Sequence, residues 1–376
     1  MSIGAQHVYV HVPFCARRCS YCDFSIAVRR VVPVSEFIGA LRAELRNRFG
    51  GADGPMPIQT LYFGGGTPSH LGVSGVEQLV AVMREFFSWD HAQTEVTLEA
   101  NPDDVSPASA AAWLSAGITR ISLGAQSFDP RVLSWMHRTH TSAQIHTAVD
   151  AIRATGFSSW SFDLIFALPA ELARQWGRDL ELALNATPPH LSLYGLTVEK
   201  GTPLGRWTER GEVDPASEQV YEHEFLLAHT EAMRAGLAHY EVSNFARPGH
   251  AARHNRSYWA GVPYLGVGPA AHGFDGHARR WNISAYTAWR DAVVAGRDPI
   301  AGAERIGPSE AEIEGVYLGL RTTAGLALSA EQARVTAPWI DAGWAESVGG
   351  RLRLTPLGWL RLDSLVAALT PAMTSP

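Results

Sequence analysis

Across 376 residues the chain has three cysteines and one lysine, Lys200. Three thiols cannot all pair, and they are crowded together, so a disulfide framework is excluded. No second cysteine pair exists to complete a four-cysteine zinc site. No apolar run approaches the roughly 20 residues of a membrane helix. The opening MSIGAQHVYVHVPF lacks a basic segment followed by an apolar core, so it does not read as a signal peptide. A cytoplasmic chain with reduced thiols is expected. The formal net charge of −6 argues against a nucleic-acid partner, and arginine is spread rather than clustered. Peripheral membrane attachment stays open, although no basic amphipathic helix stands out to provide it. What remains is ordinary globular composition, 46% hydrophobic and 18% charged, at a length that suits one large domain and a smaller one.

All three cysteines fall in the stretch CARRCSYC, as Cys15, Cys19 and Cys22. Structural zinc wants four ligands, and His11 sits on the strand-like run HVYVHVP with no evident reach toward the cysteines. Three thiolates suit a cubane iron–sulfur cluster in which one iron keeps an exchangeable position. A zinc-stabilised protein without iron is the plainer alternative.

Strand and helix patterns alternate along most of the chain. Strands are expected at 7–13, 57–63, 94–100, 120–126, 161–169 and 190–198. Helices are expected at 34–49, 75–87, 108–117, 142–156 and 171–186. In the first helix Phe37, Leu41, Leu45 and Phe49 repeat at four-residue steps. Six such units make an α/β fold with a parallel sheet, either open and doubly wound or an incomplete barrel. Beyond about residue 296 the pattern becomes mainly helical and ends in RLRLTPLGWLRLDSLVAALT, a strand, a turn and a helix. The expected division is 1–295 and 296–376.

The spacing C-x3-C-x2-C, with Tyr21 before the last cysteine, resembles the radical S-adenosylmethionine (SAM) superfamily. The longer run HVYVHVPFCARRCSYCDF is similar to the branch of oxygen-independent coproporphyrinogen III oxidases and HemW-type haem chaperones. The likeness extends over nearly the whole chain. It implies an incomplete (β/α)6 barrel with a small, mainly helical C-terminal lid, a 4Fe-4S cluster on Cys15, Cys19 and Cys22, and bound SAM. YFGGGTPS follows a strand, and its glycines would let backbone groups approach a ligand. No Gly-Lys-Ser/Thr follows, so it is not a phosphate loop. The resemblance makes Gly65, Gly66 and Thr67 SAM contacts. Glu99, Gln126, Arg138 and Asp163 place polarity at strand ends, where a β/α fold builds its site. Taken singly, each is as well read as a capping or ion-pair residue. The resemblance assigns all four, with Tyr9 and Tyr21, to SAM, and makes Arg138 the partner of a carboxylate.

Within the branch, two features separate a haem-delivering chaperone from a decarboxylating oxidase. The oxidases carry a further cysteine after the triad, whereas here Asp23 and Phe24 follow Cys22. RPGHAARHNRSYW contains an H-N-R motif associated with haem binding in the chaperones, which implicates His254 as a haem ligand in a loop. The bland reading is a histidine that satisfies backbone groups. The expectation is a haem chaperone with a cluster, SAM and haem, serving an acceptor protein and drawing on an electron donor; the alternative is the oxidase. Two departures stand out. Ala251 and Ala252 occupy a stretch where related chaperones often have a cysteine, and FALPAELARQW lacks the usual glycine. YLGVGPAAHG (264–273) reads as a further glycine-rich turn with no assigned ligand.

Overall fold

Alternation in the opening strand buries Val8, Val10 and Val12, and this strand becomes the centre of the molecule. The computed structural model describes residues 6–51 and 53–370; the reading of the first five residues lies outside them. In chain order the barrel elements are β1 (His7–Val12), α1 (Val34–Phe49), β2 (Thr60–Gly65), α2 (Gly72–Arg84), β3 (Glu95–Ala100) and α3 (Pro107–Ala116). There follow β4 (Arg120–Gln126), α4 (Ser142–Thr155), β5 (Ser159–Phe166), α5 (Trp176–Asn185) and β6 (His190–Gly195). Strands β1 to β6 pair side by side, all parallel and in chain order. A doubly wound sheet would reverse that order at a switch point. No reversal occurs, so the sheet is singly wound, as the incomplete barrel requires.

Past β6 come α6 (Glu218–Arg234), β7 (Ala238–Glu241), β8 (Asn244–Ala246), α7 (Arg253–Trp259) and β9 (Leu265–Val267). Strands β8 and β7 add antiparallel to the β6 edge, and β9 adds parallel to β1. Among the described residues β7 and β9 do not pair, so the barrel stays open. Local signals explain the helix ends. Ser106 and Thr141 form capping boxes, and Gly117 and Gly156 end α3 and α4 in the left-handed conformation.

Three elements differ from expectation. The helix expected at 171–186 begins only at Trp176, after a single 3-10 turn at Ala170–Leu172. Arg174, 2% exposed, turns inward to Glu224 at 2.7 Å and Asp179 at 3.5 Å, and Ala173 adopts φ 46°. The strand expected at 57–63 starts at Thr60, because Met56–Pro57 pairs instead with Phe87–Ser88. The H-N-R stretch is not a loop but helix α7. Its first amides, Arg253 N and His254 N, both donate at 2.9 Å to the Glu95 carboxylate. An anion on a helix N-terminus satisfies orphan N–H groups and the dipole together.

The remaining chain forms β10 (His272–Phe274), β11 (Ala278–Asn282), α8 (Tyr286–Val294), β12 (Ile300–Arg305), α9 (Pro308–Arg321), α10 (Ala330–Asp341), β13 (Ala345–Val348), β14 (Arg351–Leu354) and α11 (Leu362–Leu369). Strands β10, β11 and β12 make an antiparallel sheet that spans residue 295. The C-terminal part locks onto the barrel edge. Trp359 of this part stacks edge-on to His239 of β7 at 4.4 Å, and Arg321 pairs with the buried Glu241 at 3.2 Å; within the part, Trp359 donates to Leu320 O at 3.0 Å. No helix among the described residues is long and apolar enough to cross a membrane.

A buried carboxylate ties α1 to these later elements. Glu44 accepts from Gly268 N at 2.9 Å, Asn282 Nδ2 at 2.8 Å and Trp289 Nε1 at 3.0 Å, and pairs with Arg48 at 2.7 Å. Burial pushes its carboxyl upward, and Arg48 with the three N–H donors pull it back. Removing one partner of such a cluster leaves the others desolvated, which costs about 3–5 kcal/mol. Glu44→Ala is therefore expected to lower the unfolding free energy measured in urea by that order; an unchanged value would show that the network is dispensable.

Candidate functional site

The residues after β1 and β2 form one wall. Gly66 N donates to Val12 O, and Thr67 N donates to Phe14 O, each at 2.8 Å. The approach leaves no room for a side chain: a Cβ on Gly66 would stand 2.7 Å from the Pro13 carbonyl carbon. Gly65 has φ 108°, and a Cβ there would enter the His11 ring. The glycine run thus holds the backbone that delivers Cys15, and Thr67 Oγ1 donates to Cys15 Sγ at 3.4 Å. Cys19 and Cys22 follow on a turn in which Cys22 N donates to Cys19 O. Arg138 Nη1 reaches Cys19 Sγ at 3.5 Å, while its Nη2 donates to Gly124 O at 2.9 Å.

These residues line a cavity of about 450 Å³ over the C-terminal ends of the strands. All three cysteines face it, with Tyr21, Gly65, Gly66, Thr67, Glu99, Gln126, Arg138 and Asp163. Its volume is in the range of small-molecule sites. Of the twelve residues expected for the cluster and SAM, the three cysteines and a SAM set of nine that includes Tyr9, the cavity gathers all but Tyr9. Tyr9 lines a second, adjoining cavity of about 1410 Å³, which shares Asp23, Phe24, Gly65 and Glu99 with the first.

Burial governs the charges. Glu99 accepts from Tyr62 OH at 2.8 Å and Gly65 N at 3.1 Å; burial pushes its pKa to about 7, with nearby Asp163 adding to the rise. Asp163 accepts from Ser122 Oγ at 2.9 Å, and burial raises it to about 6 against the pull of Ser122 and Arg120. Burial opposes the charge on Arg138, but Tyr21 and Cys19 outweigh it and hold the guanidinium protonated. Its Nε has no partner among the described residues. Burial lifts the Cys15 thiol to about 11 and raises Cys22 as well. Gln126 has φ 64° beside a register shift in β4, strain of the kind found at binding sites.

The donor set fits a cubane better than a single ion. A structural zinc wants four ligands, and the chain has no fourth cysteine. A cubane with one open iron takes one thiolate on each of the other three, which is the number that faces the cavity. Loading would also require the buried thiols to give up protons.

His254 is not brought to either cavity. It is 1% exposed, and both ring nitrogens are engaged, Nδ1 with Thr60 Oγ1 at 2.7 Å and Nε2 with Tyr258 OH at 2.8 Å. Burial lowers its pKa to about 3. It packs on Tyr62 with ring centroids 5.1 Å apart. In this arrangement it holds no free nitrogen for an iron. The sequence reading missed Tyr62, Asn101, Ser122 and Tyr194, which also line the smaller cavity. A polar Ser122 inside the apolar strand RISLGAQ was the available signal for one of them.

The sequence profile of the radical SAM superfamily matches residues 9–183. Heme chaperone HemW of Mycobacterium tuberculosis is 38% identical over 369 residues, covering 96% of this chain and 94% of the relative. Heme chaperone HemW of Bacillus subtilis is 32% identical over 323 residues, covering 85% of this chain and 84% of the relative. The mouse mitochondrial radical S-adenosyl methionine domain-containing protein 1 is 34% identical over 328 residues, with 85% and 74% covered. The structure of coproporphyrinogen III oxidase HemN from Escherichia coli superposes with a TM-score of 0.80 at 19% identity, over 98% of this chain and 90% of that one, which is a likeness of fold.

Gly66→Ala should displace the Val12–Phe14 backbone and with it Cys15. After anaerobic reconstitution the variant is expected to retain well under half of the wild-type iron and sulfide, with the helix content unchanged by circular dichroism. Wild-type iron content would show that the close approach does not govern the thiols.

Proposed function

The chain belongs to the radical SAM superfamily and, within it, to the HemW haem chaperone family, and from that premise we propose that it binds a 4Fe-4S cluster, SAM and haem and passes haem to an acceptor protein. The observation that carries the proposal is the pair of adjoining cavities, one floored by three thiols and the other large enough for a macrocycle. No resident cysteine follows the triad, since Asp23 and Phe24 come next.

In this reading Cys15, Cys19 and Cys22 hold the cluster, which would supply one-electron reduction when bound. Gly65, Gly66 and Thr67 present backbone groups to SAM at the cluster's open side. Glu99, Asp163 and Gln126 supply acceptors for its ammonium and hydroxyl groups. Arg138, already beside Cys19, offers a fixed cation to its carboxylate. Tyr21 and Tyr62 close the apolar walls and exclude water. Tyr9 stacks on Tyr62 with centroids 6.0 Å apart and so belongs to the partition between the two cavities. Haem occupies the larger cavity, between the barrel mouth and α9, as cargo. The haem acceptor and a reductant for the cluster are the protein partners this role requires.

An anaerobic titration of cluster-loaded protein with haem, followed by absorbance, tests the proposal, with coproporphyrinogen III turnover assayed on the same preparation. A saturable Soret shift near one haem per chain without decarboxylation is expected. Decarboxylation without stable haem binding would favour the oxidase.

The raised carboxyls give a second test. Glu99 and Asp163, at about 7 and about 6, must both lose their protons to receive a cation. SAM affinity of the cluster-loaded protein is therefore expected to rise with pH through that interval. Glu99→Gln should flatten the rise in calorimetric titrations at several pH values. A wild-type affinity that does not change with pH would remove Glu99 from the site.

A further inference from the structure

The larger cavity has a histidine whose setting is the reverse of that of His254. His272, on β10, is exposed to the cavity, and neither of its ring nitrogens has a hydrogen-bond partner among the described residues. Resting on the reading of the chain as a haem carrier, we propose that His272 is the axial ligand of haem iron, with Arg305 and Arg351 at the rim receiving the propionates.

The imidazole is oriented before any ligand arrives. Strand pairing sets His272 opposite Trp281 and Phe274 opposite Arg279, so all four side chains share one face of the sheet. His272 and Trp281 stack at 5.8 Å with an interplanar angle of 24°. Trp281 in turn lies over Gly302 of β12, where a Cβ would collide with the indole. The hairpin cannot drift, because Asn282 at the end of β11 and Gly268 just before β10 are both fixed by Glu44. Burial and Arg279 lower the pKa of the ring, which favours the neutral form that can donate a lone pair.

The opposite wall carries a strip of small and apolar residues beside Glu314, which pairs with Arg279 of β11. Ala311, Gly315 and Gly319 recur at four-residue steps on α9 with Leu318 beside them, and all four line the cavity. A Cβ on Gly315 would meet nothing within 4 Å. In this proposal the macrocycle lies between that strip and the sheet, beside the Arg279–Glu314 pair. At the rim, Arg305 has no carboxylate partner among the described residues, and Arg351 donates only to the Ala324 and Gly325 carbonyls. Both guanidiniums keep their charge available for carboxylates. The other histidines of the cavity are less suited. His11 has both nitrogens engaged, with Ser25 O at 2.9 Å and Tyr9 OH at 3.2 Å. His277 sits in the turn between β10 and β11, outside the stacked face.

Ferric haem is titrated anaerobically into cluster-loaded wild-type protein and into His272→Ala, His254→Ala and His277→Ala, with absorbance and electron paramagnetic resonance as readouts. His272→Ala is expected to lose about tenfold or more in affinity and to lose the wild-type ligand spectrum, as deleting a metal-binding contact does. Added imidazole should restore that spectrum, and iron and sulfide content should stay at the wild-type level. His277→Ala should keep the wild-type spectrum and affinity, and His254→Ala, which frees Tyr258 at the cavity wall, should keep the wild-type ligand spectrum whatever its affinity. An unchanged spectrum and affinity in His272→Ala, or a loss of the ligand spectrum confined to either other variant, would overturn the assignment while leaving the carrier reading intact. Absence of saturable haem binding by the wild type would overturn the carrier reading and this assignment together.

Discussion

Strand β1 is gripped on both edges by glycines that leave no space for a side chain. On one edge Gly65 and Gly66 press against His11 and the Val12–Phe14 backbone. On the other, a Cβ on Gly268 would stand 2.6 Å from His11 O, and one on Gly266 would collide with the backbone of His272. Gly66 and Gly268 bring backbone against backbone and Gly65 packs under the His11 ring, approaches that a side chain would block. The first edge delivers Cys15 to the smaller cavity. The second carries the polypeptide on to His272 and the larger one. A single strand therefore sets the distance between the two cavities, and Glu44, bound to Gly268 N, secures the outer side of that clamp.

Charge in the smaller cavity is costly when nothing occupies it. Glu99 and Asp163 are buried neighbours whose pKa values are raised, first by desolvation. A carboxyl raised on folding holds a proton that the unfolded chain releases. Such a group costs stability as pH climbs from its ordinary value through the folded one. The fold accepts that cost at the ends of β3 and β5, where Tyr62 and Ser122 moderate it with hydrogen bonds. A bound cation would reverse the sign of the balance. Strain follows the same geography, since Gln126, His137 and Ala270 adopt positive φ and all border one of the cavities.

The barrel was legible in the sequence because short, nearly continuous apolar strands, buried on both faces, alternate with helices that carry a cap or a four-residue apolar repeat. Helix α1 matched its expected bounds, since Phe37, Leu41, Leu45 and Phe49 all point inward. The choice between open sheet and barrel was not legible, because strand order is set by which neighbours pair, and periodicity says nothing of that. The cysteines, Glu99, Gln126, Arg138 and Asp163 could be placed at strand ends from motif and pattern. Glu44 could not, because a glutamate within an amphipathic helix normally faces water. Its partners Gly268, Asn282 and Trp289 lie more than two hundred residues away in the chain. The setting of His254 was not legible for a related reason. Its burial depends on Glu95 starting helix α7 and on Thr60 and Tyr258 taking the ring nitrogens, contacts that no local motif encodes.

Helix α7 nevertheless lies close to both cavities. Tyr258 lines the larger one and holds His254 through its hydroxyl, and His254 packs on Tyr62, whose hydroxyl donates to Glu99. Glu99 borders both spaces. The H-N-R stretch thus supports the partition between the cavities from behind. In this arrangement His254 acts through Tyr258 and Tyr62. A buried histidine with two fixed partners resists rotation, and each partner it holds faces a different neighbour. Displacing it would disturb Tyr258 on one side and, through Tyr62, Glu99 on the other. The residues that look most like a ligand motif are those that keep the wall between the two sites rigid.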